Sequence, residues 1–248
     1  MKVLLVTSQV TYVPSNYLEL FQELLSSAGE HLAGLVILKN LSPKLLGDVA
    51  GLTYLGCTGV ASTMARNIAE LPLRRRERLF ESRKLPVLYA LSMNQRRMIS
   101  WVVDNGIDLV VNLRTRCVYK KHILAAPTLG CLNIHHGLLP ECRGTLCDLY
   151  ALWNKKPAGF TIHEMNEKID AGKILVRREI SRPGEKDYIA YLARTGLEEG
   201  RALAELIRGI AATGKLPEGT PNICSSPVYT RNPTRDQIRR MRRDGMIL

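Results

Sequence analysis

The sequence predicts an α/β protein built on a mostly parallel sheet with helices on both faces. Two observations carry that expectation. Continuous apolar runs of strand length recur along the chain, and segments with helical spacing separate them, as repeated β–α units require. The chain has 248 residues, enough for one such domain with a substantial core, or a domain plus a short appendage.

Element by element, KVLLVT (Lys2 to Thr7) is the first strand, and YLELFQELLSSAG is a helix ended by Gly29. LAGLVIL is a second buried strand. The stretch 42–84 is ambiguous, with helix expected in its second half. LPVLYAL is a third strand, NQRRMISWVVDNG a helix closed by Gly106, and DLVVNL a fourth strand. GCLNIHH makes a fifth, GTLCDLYALW a helix, and AGFTIHEM and KILVRREI two further strands. A long helical segment follows from Glu185, with Gly196 a candidate break. Beyond Lys215, three prolines between Pro217 and Pro227 predict irregular structure before a short basic helix.

Composition narrows the class. Hydrophobic residues make up 46% and charged residues 23%, as in ordinary soluble globular proteins. No apolar stretch is long enough to predict a transmembrane helix. Thr7, Ser8 and Gln9 break the N-terminal apolar run, so a buried first strand is expected rather than a signal peptide. The six cysteines contain no C-x-x-C pair. That spacing points to neither a zinc site nor a disulfide framework, and reduced thiols in a cytoplasmic protein are expected.

The formal net charge is +12, and two short segments hold eight of the twelve. RRRERLFESRK sets six cations against Glu77 and Glu81, and RNPTRDQIRRMRRDG sets six arginines against Asp236 and Asp244. A solvated arginine-rich surface is the ordinary reading; a rim for phosphates or nucleic acid is the sharper one. The first is preferred for most of these residues.

A parallel sheet of this kind places its ligand at the carboxyl ends of the strands. There the stretch CLNIHHGLLPECRG stands out. Alternation along the strand puts Asn133 and His135 on one face, with Leu132, Ile134 and His136 on the other. Downstream, Ile-Asp-Ala-Gly forms a turn that carries Asp170 and the flexible Gly172. A turn aspartate bonding its own backbone is the default there. The histidine spacing suggests no metal.

Taken in order, Asn-x-His, Leu-Leu-Pro, Arg-Gly, Phe-Thr-Ile-His and Asp-Ala-Gly resemble the folate-dependent formyltransferase family, most closely between Asp108 and Ile180. The resemblance implies a Rossmann-like fold over residues 1–190, with 191–248 a helical and irregular C-terminal extension. It implies 10-formyltetrahydrofolate as donor, and Asn133, His135 and Asp170 as catalytic residues. The chemistry fits those residue types. An amine attacking a formyl carbon builds charge on the formyl oxygen, which an amide and a donating imidazole stabilise. A carboxylate supports the imidazolium and serves the proton transfer. His163 either orients that carboxylate or caps a strand edge. By the same resemblance, Arg116, Val118 and Ile169 fall in the donor site, and Arg143 with Tyr150 on the acceptor side. His136 and Gly137 depart from the proline-serine or glycine-serine usual after the histidine. Pointing to the other face, His136 is expected to matter far less to turnover.

The acceptor follows from comparison within the family. Purine transformylases carry a glycine-rich loop after the first strand to cradle a ribotide phosphate, and TSQVTYVPSNY contains no glycine. Methionyl-tRNA enzymes append a further domain, expected to need roughly 100 residues. A small-metabolite amine therefore leads, most of all a nucleotide-linked amino sugar, with an arginine after DLVVNL meeting the diphosphate and Tyr119, Tyr150 or Trp153 meeting the base. An amino-acid-type amine, Met-tRNA and hydrolysis of the donor are the alternatives, and a non-enzymatic nucleic-acid binder ranks last. Neither a membrane nor nucleic acid is an expected partner. Assembly stays open, a homodimer included.

Overall fold

The computed structural model describes residues 1–248. Its strands are β1 (Val3–Ser8), β2 (Leu32–Leu38), β3 (Val87–Ala90), β4 (Leu109–Asn112), β5 (Cys131–His135), β6 (Cys142–Gly144), β7 (Gly159–Glu164), β8 (Ile174–Glu179) and β9 (Val228–Thr230). The helices are α1 (Leu18–Ser27), α2 (Pro43–Tyr54), α3 (Thr58–Ala69), α4 (Arg75–Glu81), α5 (Arg96–Asp104), α6 (Lys121–Leu124), α7 (Cys147–Trp153), α8 (Tyr188–Thr213) and α9 (Arg235–Arg243).

Seven strands form one sheet in the order β3-β2-β1-β4-β5-β7-β8. Strands β1 to β5 are mutually parallel, which makes the architecture Rossmann-like. The last two strands depart from the β–α rhythm: β7 pairs antiparallel with β5, and β8 antiparallel with β7. Only residues 165–173 separate β7 from β8, too few for the crossover that a parallel pair demands. The strand order reverses between β1 and β4, so the crevice for a ligand opens at their carboxyl ends.

Alternation along β1 sends Val3 and Leu5 into one buried cluster and Leu4 and Val6 into a second on the opposite face. Helices α1 and α8 cover the first cluster, and α5 covers the second through Met98 and Val102. The boundary placed between residues 190 and 191 falls inside α8, whose Tyr191, Leu192, Leu203 and Ile207 are fully buried in the main core. Nor does Gly196 break that helix. It lies buried facing Val13 and Tyr17, and a Cβ there would make only ordinary contacts with them, at 3.7 and 3.8 Å.

The ambiguous stretch 42–84 holds three helices, the first capped by the Ser42 side chain on Leu45 N. Most of the arginine run within it is solvent-exposed, and Arg76 is the exception. Arg76 is only 4% exposed, and its guanidinium donates to the Ser8 and Gln9 carbonyls at the end of β1. Arg83 donates to Leu25 O, and Arg74 pairs with Glu81. No helix is long and apolar enough to cross a membrane.

Candidate active site

Three adjacent strands each carry a polar residue, and the sheet register sets those residues side by side. Asn112 pairs with Asn133 across β4 and β5, and Asn133 with His163 across β5 and β7. A directional hydrogen-bond chain follows. Thr115 Oγ1 donates to Asn112 Oδ1 (2.7 Å), and Asn112 Nδ2 donates to Asn133 Oδ1 (2.8 Å). The Asn133 amide is thereby oriented, with Nδ2 toward His163 Nε2 at 3.2 Å.

Ring contacts with carbonyls define the neutral tautomers, because a carbonyl only accepts. His163 Nδ1 lies 2.7 Å from Glu164 O and so carries the proton, leaving Nε2 to accept from Asn133. Burial, reinforced by neighbouring His135, pushes His163 down to about 4, so this ring is neutral near pH 7. His135 Nε2 lies 3.0 Å from Cys142 O and is likewise a donor. Its Nδ1 faces Asp170 Oδ1 at 3.6 Å, and His163 Nε2 faces the same oxygen at 3.7 Å. Both spacings exceed a direct hydrogen bond, so Asp170 acts on the two rings by charge or through water.

Asp170 is 9% exposed and sits at φ 52°, a left-handed conformation that aspartate tolerates better than most residues. Its turn is held from outside. Gly144 N donates to Asp170 Oδ2 (3.1 Å), and buried Asn222 Nδ2 donates to Asp170 O (3.0 Å) and Gly172 O (2.9 Å). Glycine at 172 is a matter of space rather than flexibility, since a Cβ there would lie 1.9 Å from Glu164 O. Gly172→Ala is expected to cost about 2 kcal/mol of stability and to displace the Asp170 turn. A thermal unfolding curve matching that of the parent protein would contradict this.

The formyl transferase family model matches residues 78–207. The chain belongs to that family. Among its curated relatives is the methionyl-tRNA formyltransferase of Bacillus cytotoxicus, 39% identical over 101 residues, which is 40% of this chain and 32% of the relative. The match thus spans about a third of that relative's length. Two solved structures share the fold at low identity. Phosphoribosylglycinamide formyltransferase from Anaplasma phagocytophilum is 16% identical, with TM-score 0.59, over 94% of this chain and 99% of that one. The N-formyltransferase from Helicobacter canadensis, in complex with folinic acid and dTDP-3-aminofucose, is 13% identical, with TM-score 0.53, over 94% of this chain and 71% of that one.

The fold brings Asn133, His135 and Asp170 together, with His163 between the first and the last. The other sequence candidates are more dispersed. Val118 and Ile169 are 55% and 67% exposed, as apolar side chains on the loops after β4 and before Asp170. Arg116 turns toward the C-terminal segment, with Nη2 3.5 Å from Asn232 Oδ1. Arg143 donates through Nη2 to Asn222 O and Oδ1, while its buried Nε has no partner. Tyr150 is engaged with Gln237 on α9 through its hydroxyl, and with Trp153 through its ring.

Some expectations need correction. Tyr119 is 3% exposed, packed in the second core cluster, and offers no face to a base. Of the arginines after β4, the Arg114 side chain is 8% exposed and committed to buried partners, leaving only Arg116 for an anion. His136 leaves on the face opposite His135, as alternation placed it, and enters a buried ionic cluster. Sequence reasoning missed Asn112 and Asn222. A polar residue ending the apolar run DLVVN was a usable signal for Asn112. Asn222 lies in a segment with no periodicity and had none.

Proposed function

We propose that the chain is an N-formyltransferase that takes its formyl group from 10-formyltetrahydrofolate and delivers it to a primary amine of a small metabolite. The carrying observation is the convergence of Asn133 Nδ2, His135 and Asp170 at the carboxyl end of β5. Asn133 offers its amide N–H, in a fixed orientation, to the oxygen that becomes negative when the amine adds to the formyl carbon. His135 Nε2–H, shared with the Cys142 carbonyl, places a second donor beside it, with the Asp170 carboxylate facing Nδ1 of the same ring. The new C–N bond forms at the amine, and the bond from the formyl carbon to N10 of the folate breaks. Asp170 passes the amine's proton, through water, toward that departing nitrogen. Val118 and Ile169 supply exposed apolar surface on either side for a pterin. The Helicobacter canadensis neighbour, solved with folinic acid and dTDP-3-aminofucose, supports a reduced folate on this fold.

The favoured acceptor is a nucleotide-linked amino sugar. After β1, where a ribotide phosphate would need open backbone N–H groups, the loop is closed by side chains of its own, of Asn40 and of α3, with Val10 N donating to Asn40 Oδ1. Asn16 Oδ1 accepts from Thr11 N, and Asn67 Nδ2 donates to Thr11 O and Val13 O. Arg116, exposed on the loop after β4, is the arginine offered to a diphosphate. Incubation with 10-formyltetrahydrofolate and separate acceptors (nucleotide-linked amino sugar, free amino sugar, amino acids, Met-tRNA), read by mass spectrometry, tests both levels. A formamide on the nucleotide-linked sugar in preference to the free sugar is the expected product. Formate released without transfer would replace this reading with hydrolysis, and formyl-Met-tRNA would move the acceptor to nucleic acid.

A further inference from the structure

Behind His135, on the opposite face of the strand, four ionisable side chains meet in the interior. His136 Nδ1 lies 2.9 Å from Asp148 Oδ2 on α7, and Nε2 lies 2.6 Å from Glu199 Oε1 on α8. Arg114, from the loop after β4, closes the group at 3.8 Å from Asp148 and 3.9 Å from Glu199. Both carboxylates are fully buried. The ring N–H directions do not line up with either oxygen, so these are ion-pair contacts rather than straight hydrogen bonds. Tyr12 and Tyr17 face the group from the β1 loop, Tyr188 and Tyr191 from α8, and Cys147 from α7. None of these adds a cation. One arginine against two carboxylates is neutral only while the knot also holds one proton, on the ring or on a carboxyl, and burial makes any residual charge costly.

The knot is bolted to the active-site strand. Asp148 N donates to His136 O (3.2 Å), so α7 grips residue 136 by backbone and side chain together. Gly137 follows, and a Cβ there would lie 2.6 Å from both His135 Nε2 and Cys147 Cβ. The first turn of α7 and the His135 ring therefore close on the same glycine. The two departures at positions 136 and 137 act as one device: the histidine draws α7 in, and the glycine makes room for the ring.

We propose that the Arg114–His136–Asp148–Glu199 knot positions His135, holding its ring with Nε2–H on the Cys142 carbonyl and Nδ1 toward Asp170. His136 and Glu199 are thus positioning residues for the site. The inference rests on this geometry; that His135 is catalytic rests on the proposed function.

The test is the tautomer of His135, read from imidazole 15N shifts in the full-length labelled chain at about pH 8, where neutral histidine dominates. The parent protein should show the Nε2–H form. His136→Gln and Glu199→Gln should each show a mixture of Nε2–H and Nδ1–H at His135, with His31 and His122 unchanged. Glu199→Gln leaves Arg114 and Asp148 as a balanced pair, so it decides the matter alone if His136→Gln does not fold. A parent protein without the Nε2–H form, or a folded variant that keeps it pure, overturns the proposal. Where formyl transfer is measured, the variants should lose kcat with KM for the folate unchanged. A chain without that activity defeats the proposed function and leaves the tautomer test intact.

Discussion

Asp170→Asn should leave reduced-folate binding within a few-fold of the parent protein while turnover falls by roughly 10²–10⁴-fold, the range for losing an acid–base or oxyanion group. The substitution keeps the shape and the acceptor oxygen for Gly144 N, so the turn held by Asn222 should survive. It removes the one charge shared by the two rings, at 3.6 Å from His135 and 3.7 Å from His163. His135→Ala and Asn133→Ala belong in the same range. Their double variant should lose less than the product of the single losses, because both groups act on one oxygen. Calorimetry with a stable folate analogue and steady-state kinetics separate binding from turnover. An Asp170→Asn enzyme with parental kcat would remove the carboxylate from the mechanism.

The largest loss of stability should come from His136→Ala. It leaves Asp148 and Glu199 buried against a single arginine, and removing one partner from a buried charge group costs about 3–5 kcal/mol. A pH dependence accompanies it. Burial raises the Asp148 carboxyl from 3.8 to about 6 and that of Glu199 from 4.5 to about 7. A group whose folded pKa is raised stabilises fully below its unfolded pKa and loses that contribution as pH rises through the folded value. The parent protein should therefore lose stability as pH climbs from about 4 to about 7, by an amount on the order of a few kcal/mol. Glu199→Gln should flatten that slope. Urea unfolding at both ends of the window measures it, and a protein more stable at the alkaline end would refute the sign.

Much of this was written in local sequence. Five apolar runs separated by helical spacing specify the parallel half of the sheet, because strands buried on both faces need continuous apolar residues. Asn133, His135 and Asp170 were legible as candidates for a different reason: their motifs stand in the order of the family the sequence resembles, and the fold sets His135 beside Asp170. Turn chemistry marked the Asp170 turn, but the reason for Gly172 was misread. Only the folded chain shows the Glu164 carbonyl that excludes a side chain there.

What the chain alone could not express is anything set by registers and by approach between distant segments. Asn112, Asn133 and His163 become neighbours through strand pairing, and no local pattern links positions 112 and 163. Asn222 reaches the Asp170 turn from a segment without periodicity. Basic residues that looked alike in sequence divided by burial: Arg76 and Arg114 were drawn inside to carbonyls and carboxylates, while Arg116 stayed at the surface. His136 shows the division most plainly. Alternation correctly placed it opposite His135, since strand geometry is local. Its meaning came from Asp148 on α7 and Glu199 on α8, which only packing could bring to within ion-pair distance of one ring.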